Sequence, residues 1–308
     1  MQSRKYTLLA VGELLADFIG SQICDSLYDT RSFNRFHGGS PANLALNMKM
    51  LGFNTAVVSC IGNDNLGKYV LDQIEKTGVD ISHVHTDPDE PSSMVLVSRT
   101  TGTPDFIPYR GADKMLLEAY LPDSLLSNTS IFHTTCWPLS KNPSQKTVLD
   151  AAKRAKKNKC ILSLDLNYAH RVWPNLVEAH TVIKEYISNG ALVKLSEDDA
   201  ERFFGEMPED QIFETLKMWG ATLICYTMGA KGSRVINAEG DWFYAAQAVD
   251  VKDATGAGDA FWSGFLAAYV DGHSPQACTK AGVNMAATKL QHVGPLQKPI
   301  DKNSIYSL

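Results

Sequence analysis

Little in this sequence suits a membrane, a nucleic acid or an oxidising compartment. No run of about 18 consecutive apolar residues is present, so no bilayer-spanning helix is expected, and the opening residues lack the apolar core of a secretory signal. A basic excess is missing too. The 29 Lys and Arg stand against 34 Asp and Glu, a formal net charge of -5, whereas phosphate backbones and anionic lipids select basic patches. The one dense basic run, Lys153 to Lys159, closes a helical pattern, where cations complement the helix dipole. Cysteine is sparse and scattered: Cys24, Cys60, Cys136, Cys160, Cys225 and Cys278 form no CxxC pair and read as reduced core thiols. No Gly-x-Gly-x-x-Gly occurs, which argues against a dinucleotide-binding oxidoreductase. What remains is the expectation of a cytoplasmic enzyme acting on a small molecule.

The 308 residues, 44% hydrophobic and 20% charged, suffice to bury a sizeable core. Short apolar runs at 6–12, 55–62, 130–136, 160–167, 191–196 and 222–229 read as buried strands. Helical patterns at 66–77, 145–157, 177–187 and 210–219 fall between most of them. Such alternation predicts an α/β fold whose parallel sheet is covered on both faces. Two regions break the rule, 17–36 and 92–110, which look extended. In the second, Met94, Leu96 and Ser98 alternate with Val95, Val97 and Arg99 as in a one-sided antiparallel strand. These regions predict a small sheet with one apolar face, interleaved with the core in a single domain spanning 1–308, its segments being about 13–37 and 92–111.

Near the C-terminus the chain reads Asp253-Ala254-Thr255-Gly256-Ala257-Gly258-Asp259-Ala260-Phe261, followed by a long apolar helical pattern. A helix start offers unpaired N–H groups and partial positive charge, so Gly256, Ala257 and Gly258 would let an anion approach the bare backbone. Asp259 falls in the first turn, where a carboxylate can take a proton from an attacking hydroxyl. At the other end, His37-Gly38-Gly39-Ser40-Pro41-Ala42-Asn43 reads as a sharp turn with Ser40 as N-cap and Pro41 opening a helix. The Asn43 amide both donates and accepts, which suits a polyol.

Ligands of open parallel sheets bind beyond the carboxyl ends of the strands. There stand Asp165-Leu166-Asn167, Lys194-Leu195-Ser196-Glu197-Asp198-Asp199 and Thr227-Met228-Gly229-Ala230-Lys231-Gly232. Acids at such ends suit Mg²⁺ and a Gly-rich turn suits phosphates, with helix capping the competing role for each residue. Gly62 to Tyr69 almost spells a P-loop, but Tyr69 stands where Ser or Thr is required and Asp64 would sit in the phosphate cradle. His133 and Cys136 lack partners at metal spacing and read as core or pocket wall; His83 and His85 fall in a short polar connection.

The stretch from Asp253 to Phe265 resembles the C-terminal signature of the ribokinase-like (PfkB) carbohydrate kinases, with Ala254 where the family has Ser or Thr. Gly38-Gly39 with Asn43, the stretch from Gly12 to Asp17, and Gly62-Asn63-Asp64 with Gly67 resemble its N-terminal elements. The resemblance covers essentially the whole chain. It implies a three-layer α/β/α core with a mainly parallel sheet plus a small β-sheet lid, and ATP-dependent phosphorylation of a sugar's primary hydroxyl. It implies Asp259 as base, with Gly256, Ala257 and Gly258 as the anion hole. Asp17, Gly38, Gly39, Asn43, Arg110, Asp165 and Asn167 would hold the sugar, and Lys194, Thr227, Gly229, Gly232 and Asn284 the nucleotide. Asp253 and Thr255 would bind a monovalent cation, K⁺ in the family, and Glu197 and Asp199 would serve Mg²⁺. Ser196 and Asp199 replace the family's Asn and Glu, and Ala169 replaces a frequent Arg. Phe106 to Asp113 resembles the lid-to-core segment of fructokinases and 2-keto-3-deoxygluconate kinases. Fructose is the first choice, the keto-deoxy acid or ribose the next, and a non-catalytic sugar or nucleotide sensor the reading from another class. Lids in the family often pair, which implies a homodimer.

Overall fold

The computed structural model describes residues 4–296 and 298–306. In chain order, β1 (Tyr6–Val11), β2 (Leu15–Ile23) and β3 (Phe33–Gly38) lead into α1 (Ser40–Met50), β4 (Thr55–Gly62), α2 (Asn65–Glu75) and β5 (Asp80–Asp87). Then come β6 (Met94–Arg99), β7 (Phe106–Tyr109), α3 (Asp123–Ser127), β8 (Thr129–Thr135), α4 (Cys136–Leu139) and α5 (Ser144–Lys157). The middle continues with β9 (Ile161–Asp165), α6 (Leu176–Ile187), β10 (Leu192–Ser196), α7 (Glu197–Phe204), α8 (Glu209–Trp219) and β11 (Leu223–Thr227). The remainder is β12 (Ser233–Asn237), β13 (Asp241–Tyr244), α9 (Ala257–Val270), α10 (Pro275–Leu290) and α11 (Lys302–Tyr306).

The large sheet has the order β13-β12-β11-β10-β9-β8-β1-β4-β5, parallel from β11 to β5, with β12 and β13 joined antiparallel. Alternate side chains of each strand enter opposite layers. Leu9, Val11, Ala56 and Val58 pack with the apolar faces of α5, α6 and α8. Leu8, Ala10, Val57 and Ile61 pack with α1, α2, α9 and α10. This double burial is why the strand sequences are nearly continuous apolar runs. Helix α9 is buried from Ala260 to Ala268, because α1 and α10 flank it within one layer.

The small sheet has the order β3-β2-β6-β7. Leu15, Ile19, Val95 and Val97 form its apolar face, closed against Trp137 and Val172 of the core. The expected one-sided strand is present as β6, with one correction: it pairs antiparallel with β7 but parallel with β2. A second correction concerns His83 and His85, which lie on β5 at the sheet edge and not in a connection. The six cysteines are free thiols, all buried but the half-buried Cys24. His133 is buried with its Nδ1 2.9 Å from Ser163 Oγ, a core residue as expected. Among the described residues no helix is long and apolar enough to cross a membrane.

Candidate active site

Beyond the carboxyl ends of β1, β8, β9 and β10, and under the small sheet, lies an open cleft of about 230 Å³. Two helix starts face each other across it. Gly256 caps α9 in the left-handed conformation, φ 77° and ψ 8°, which glycine alone adopts without a Cβ penalty. That turn directs Asp259, in the first turn of α9, at the start of α1. Ser40 Oγ donates to Asp259 Oδ1 at 2.7 Å and Asn43 Nδ2 to Oδ2 at 2.9 Å. Ser40 is therefore not the cap of α1. Gly39 occupies that position, leaving the Ser40 hydroxyl to orient Asp259. Burial raises the Asp259 carboxyl above the usual carboxylate range, opposed by these two hydrogen bonds and by Lys194 and Lys289.

Under α9 stands the Lys194 ammonium, donating to Asp165 Oδ1 and Oδ2 at 3.0 and 2.8 Å, with both side chains buried. Burial favours neutral lysine, but Asp165, Asp199 and Asp259 outweigh it and hold the ammonium above its ordinary value. A Cβ on Gly258 would lie 2.9 Å from Lys194 Nζ, so the bare glycine lets the cation reach the helix start. The Ala257 N–H donates to the Ala254 carbonyl at 3.2 Å, while those of Gly256 and Gly258 have no protein acceptor among the described residues. Of the three expected anion-hole donors, two are thus available.

The other wall carries Asp17, Glu13, Asn167 and Trp137. Gly38 lies against Asp17, since a Cβ there would be 2.0 Å from Asp17 Oδ2. Burial, then the Asp259 and Asp253 charges, pushes the Asp17 carboxyl up to about 7. Glu13 accepts from the Ser40 N–H at 3.3 Å and from Thr135 Oγ1, and burial pushes it up to about 8. Asn167 projects from the loop after β9 at φ 36°. The sequence does not single out Glu13, Ser40 or Trp137 as site residues: Glu13 falls within the stretch from Gly12 to Asp17 with no signal of its own, Ser40 reads only as a helix cap, and Trp137 is brought in by the packing of α4.

Several expected residues go elsewhere. Arg110 does not line the cleft. Its guanidinium pairs with Asp113 Oδ2 at 2.6 Å and donates to Ser140 and the Trp137 carbonyl, and Asp113 in turn holds Trp137 Nε1 at 2.6 Å. Asn284 donates to the Ile305 carbonyl at 2.9 Å. Thr227 ends β11 outside the cleft, with Gly229 exposed beyond it. At Gly232 a Cβ would meet the Tyr244 carbonyl oxygen at 2.0 Å, so its bareness serves the approach of β13. The carboxylates expected at Mg²⁺ have protein partners: Glu197 pairs with Lys231 at 2.7 Å, and Asp199 closes a capping box with Ser196. Among the described residues no group of three His, Cys, Asp or Glu could hold a metal.

A helix start open to an anion, a carboxyl aimed at it and hydroxyl-binding groups opposite, set at the strand ends of a doubly covered sheet, define the class: a phosphotransferase acting on an alcohol. The chain belongs to the pfkB family of carbohydrate kinases, whose model matches residues 5–303. It is 38% identical to the ATP-dependent 6-phosphofructokinase of Thermoanaerobacterium thermosaccharolyticum, over 99% of this chain and 94% of that one. A fructokinase structure from Halothermothrix orenii superposes with a TM-score of 0.80 at 30% identity, covering 91% of this chain and 97% of that one. A sugar kinase of Pyrococcus horikoshii, solved in complex with ATP, superposes with a TM-score of 0.83 at 27% identity, covering 96% of each chain. The protein is a sugar kinase of the ribokinase-like fold.

Proposed function

We propose that the protein transfers the γ-phosphoryl group of ATP to a primary hydroxyl of a ketohexose, with fructose as acceptor. The observation that carries this is Asp259, half-buried in the first turn of α9 and held by Ser40 and Asn43 in the lining of the cleft. A carboxylate has about four acceptor sites, so two hydrogen bonds leave room for a substrate hydroxyl. Asp259 takes the hydroxyl proton as that oxygen bonds to the γ-phosphorus, and the bond from phosphorus to the β,γ-bridging oxygen breaks, releasing ADP. The N–H groups of Gly256 and Gly258 and the Lys194 ammonium stabilise charge on the transferring group. Asp17 and Asn43 hold sugar hydroxyls, with Gly39 setting the turn between them. ATP use is supported by the ATP complex of the Pyrococcus relative; Mg²⁺ would be carried by the nucleotide's phosphates, as is usual for this ion.

Among the described residues lining the cleft Lys194 is the one cation, and Asp165 already pairs with it at 2.8 Å, so no uncommitted cation waits for a sugar phosphate, which favours a neutral sugar over a phosphorylated one. A second reading, fructose 6-phosphate as acceptor, is favoured by the 38% identical 6-phosphofructokinase. ADP release measured with fructose, fructose 6-phosphate, ribose and 2-keto-3-deoxygluconate decides. The highest kcat/KM is expected for fructose; preference for the phosphate ester replaces it by the second reading, and release with no sugar revives the non-catalytic sensor. Exposed Ile23, Tyr28, Ile107 and Tyr109 on the lid segments support pairing of two lids in a homodimer, to be checked by light scattering, where a monomer refutes it.

A further inference from the structure

The sequence led to the expectation of a K⁺ ion at Asp253 and Thr255, and the residues present do not fit one. Asp253 is fully buried. Its Oδ1 accepts from the Thr255 N–H at 3.0 Å and its Oδ2 from the Gly294 N–H at 3.2 Å. The carboxylate therefore ties the loop entering α9 to the turn that follows α10. Its counter-charge is supplied by the chain: Lys289 Nζ, in the last turn of α10, lies 3.9 Å from Asp253 Oδ2 and donates to the His292 carbonyl at 3.2 Å. The Lys289 side chain is only 6% exposed. A Cβ on Gly256 would meet Lys289 Cε at 3.6 Å, Asp259 Oδ2 at 3.8 Å and Asn43 Nδ2 at 3.9 Å. The lysine thus lies directly beneath the residue that caps α9 and aims Asp259.

We propose that Lys289 is a positioning residue: its ammonium is the built-in cation of the anion-hole loop, and the kinase needs no K⁺. This rests on the reading of residues 256–259 as the phosphoryl site. A buried carboxylate without a counter-charge is strongly destabilised, so some cation must face Asp253. With Lys289 there, a further ion about 4 Å from the ammonium would meet a repulsion of about 4 kcal/mol at an effective dielectric constant of about 20. That corresponds to roughly a thousandfold weaker binding. Covalent attachment to α10 also makes the cation permanent, so the loop is braced before the nucleotide arrives.

The test compares the wild type, Lys289→Met and Lys289→Ala with K⁺ or tetramethylammonium at constant ionic strength. Turnover and melting temperature are read in each. The wild type should change by less than about twofold in kcat between the two salts, and its melting temperature should stay put. Lys289→Met keeps the methylenes and loses the charge. It should lose about tenfold or more in kcat, the scale of a lost electrostatic contact in a site of this kind, with a much smaller change in the sugar KM and no response to K⁺. Lys289→Ala opens the space, so K⁺ or NH₄⁺ should raise both its kcat and its melting temperature. A wild type activated more than about fivefold by K⁺, a Lys289→Met enzyme of full turnover, or a Lys289→Ala enzyme that no cation restores would each overturn the proposal. If no acceptor is phosphorylated, the reading of the loop fails instead, and the response of Lys289→Ala melting to cations still decides whether Lys289 stands in for an ion.

Discussion

Gly258→Ala sets one methyl group against the pair that underlies the anion site. The residue is helical, so alanine gains about 1 kcal/mol of helix propensity over glycine. Against this, the new Cβ lies 2.9 Å from Lys194 Nζ, and the ammonium has no free direction of retreat because Asp165 holds it at 2.8 and 3.0 Å. Relieving the overlap by moving α9 or bending Lys194 costs about 1–3 kcal/mol, as for other overpacked sites. The two effects leave a net loss of about 0–2 kcal/mol, or a fall of at most about 3 °C in melting temperature for a chain of this size. Turnover responds differently. The methyl group projects where the phosphoryl oxygens approach the backbone, and a displaced donor in such a site costs about a hundredfold or more in kcat. Calorimetry of fructose binding, a thermal scan and steady-state kinetics separate the effects. A variant retaining most of its turnover, or one whose sugar affinity collapses while kcat holds, refutes the placement of the phosphoryl group at Gly258.

Asp259→Asn keeps the shape and its contacts with Ser40 and Asn43 but cannot accept the hydroxyl proton, so kcat should fall about a hundredfold or more with ATP binding kept; near-normal turnover would exclude Asp259 as base. Arg110→Ala leaves the Asp113 carboxylate buried without its cation, which should cost about 3–5 kcal/mol and appear as a marked drop in melting temperature. A variant of full stability with only a raised sugar KM would return Arg110 to the cleft. The pH dependence of stability has a definite sign at Glu13 and Asp17. Their folded values of about 8 and 7 lie above those of the unfolded chain, about 4. The folded state therefore holds protons that the unfolded state releases, so their contribution is full below about pH 4 and is lost as pH rises through the folded values. Glu13→Gln should remove part of that slope, gaining stability relative to the wild type between about pH 4 and 8; parallel curves in urea unfolding would refute the burial of a carboxylic acid there.

The order and type of the core elements were written in the sequence, because residues buried on both faces of a sheet must be apolar without interruption and the amphipathic helices between them show their period. Runs such as Thr55–Gly62 and Ser144–Lys157 could hardly be anything else. So, too, the motif from Gly256 to Asp259 could be read as a candidate anion site, since a bare backbone at a helix start followed by an acid is a local property. Strand β5 was illegible: an edge strand is half covered and tolerates the polar residues around His83 and His85. The rest depended on distances between segments far apart in the chain. Whether Arg110 turns to the sugar or to Asp113, whether Glu197 meets a metal or Lys231, and whether Asp253 faces an ion or Lys289 are choices among competing partners for a charged side chain. Local sequence names the charge but not its partner. The partner follows from which strands and helices pack together, because a buried charge takes whichever counter-charge the fold brings within reach.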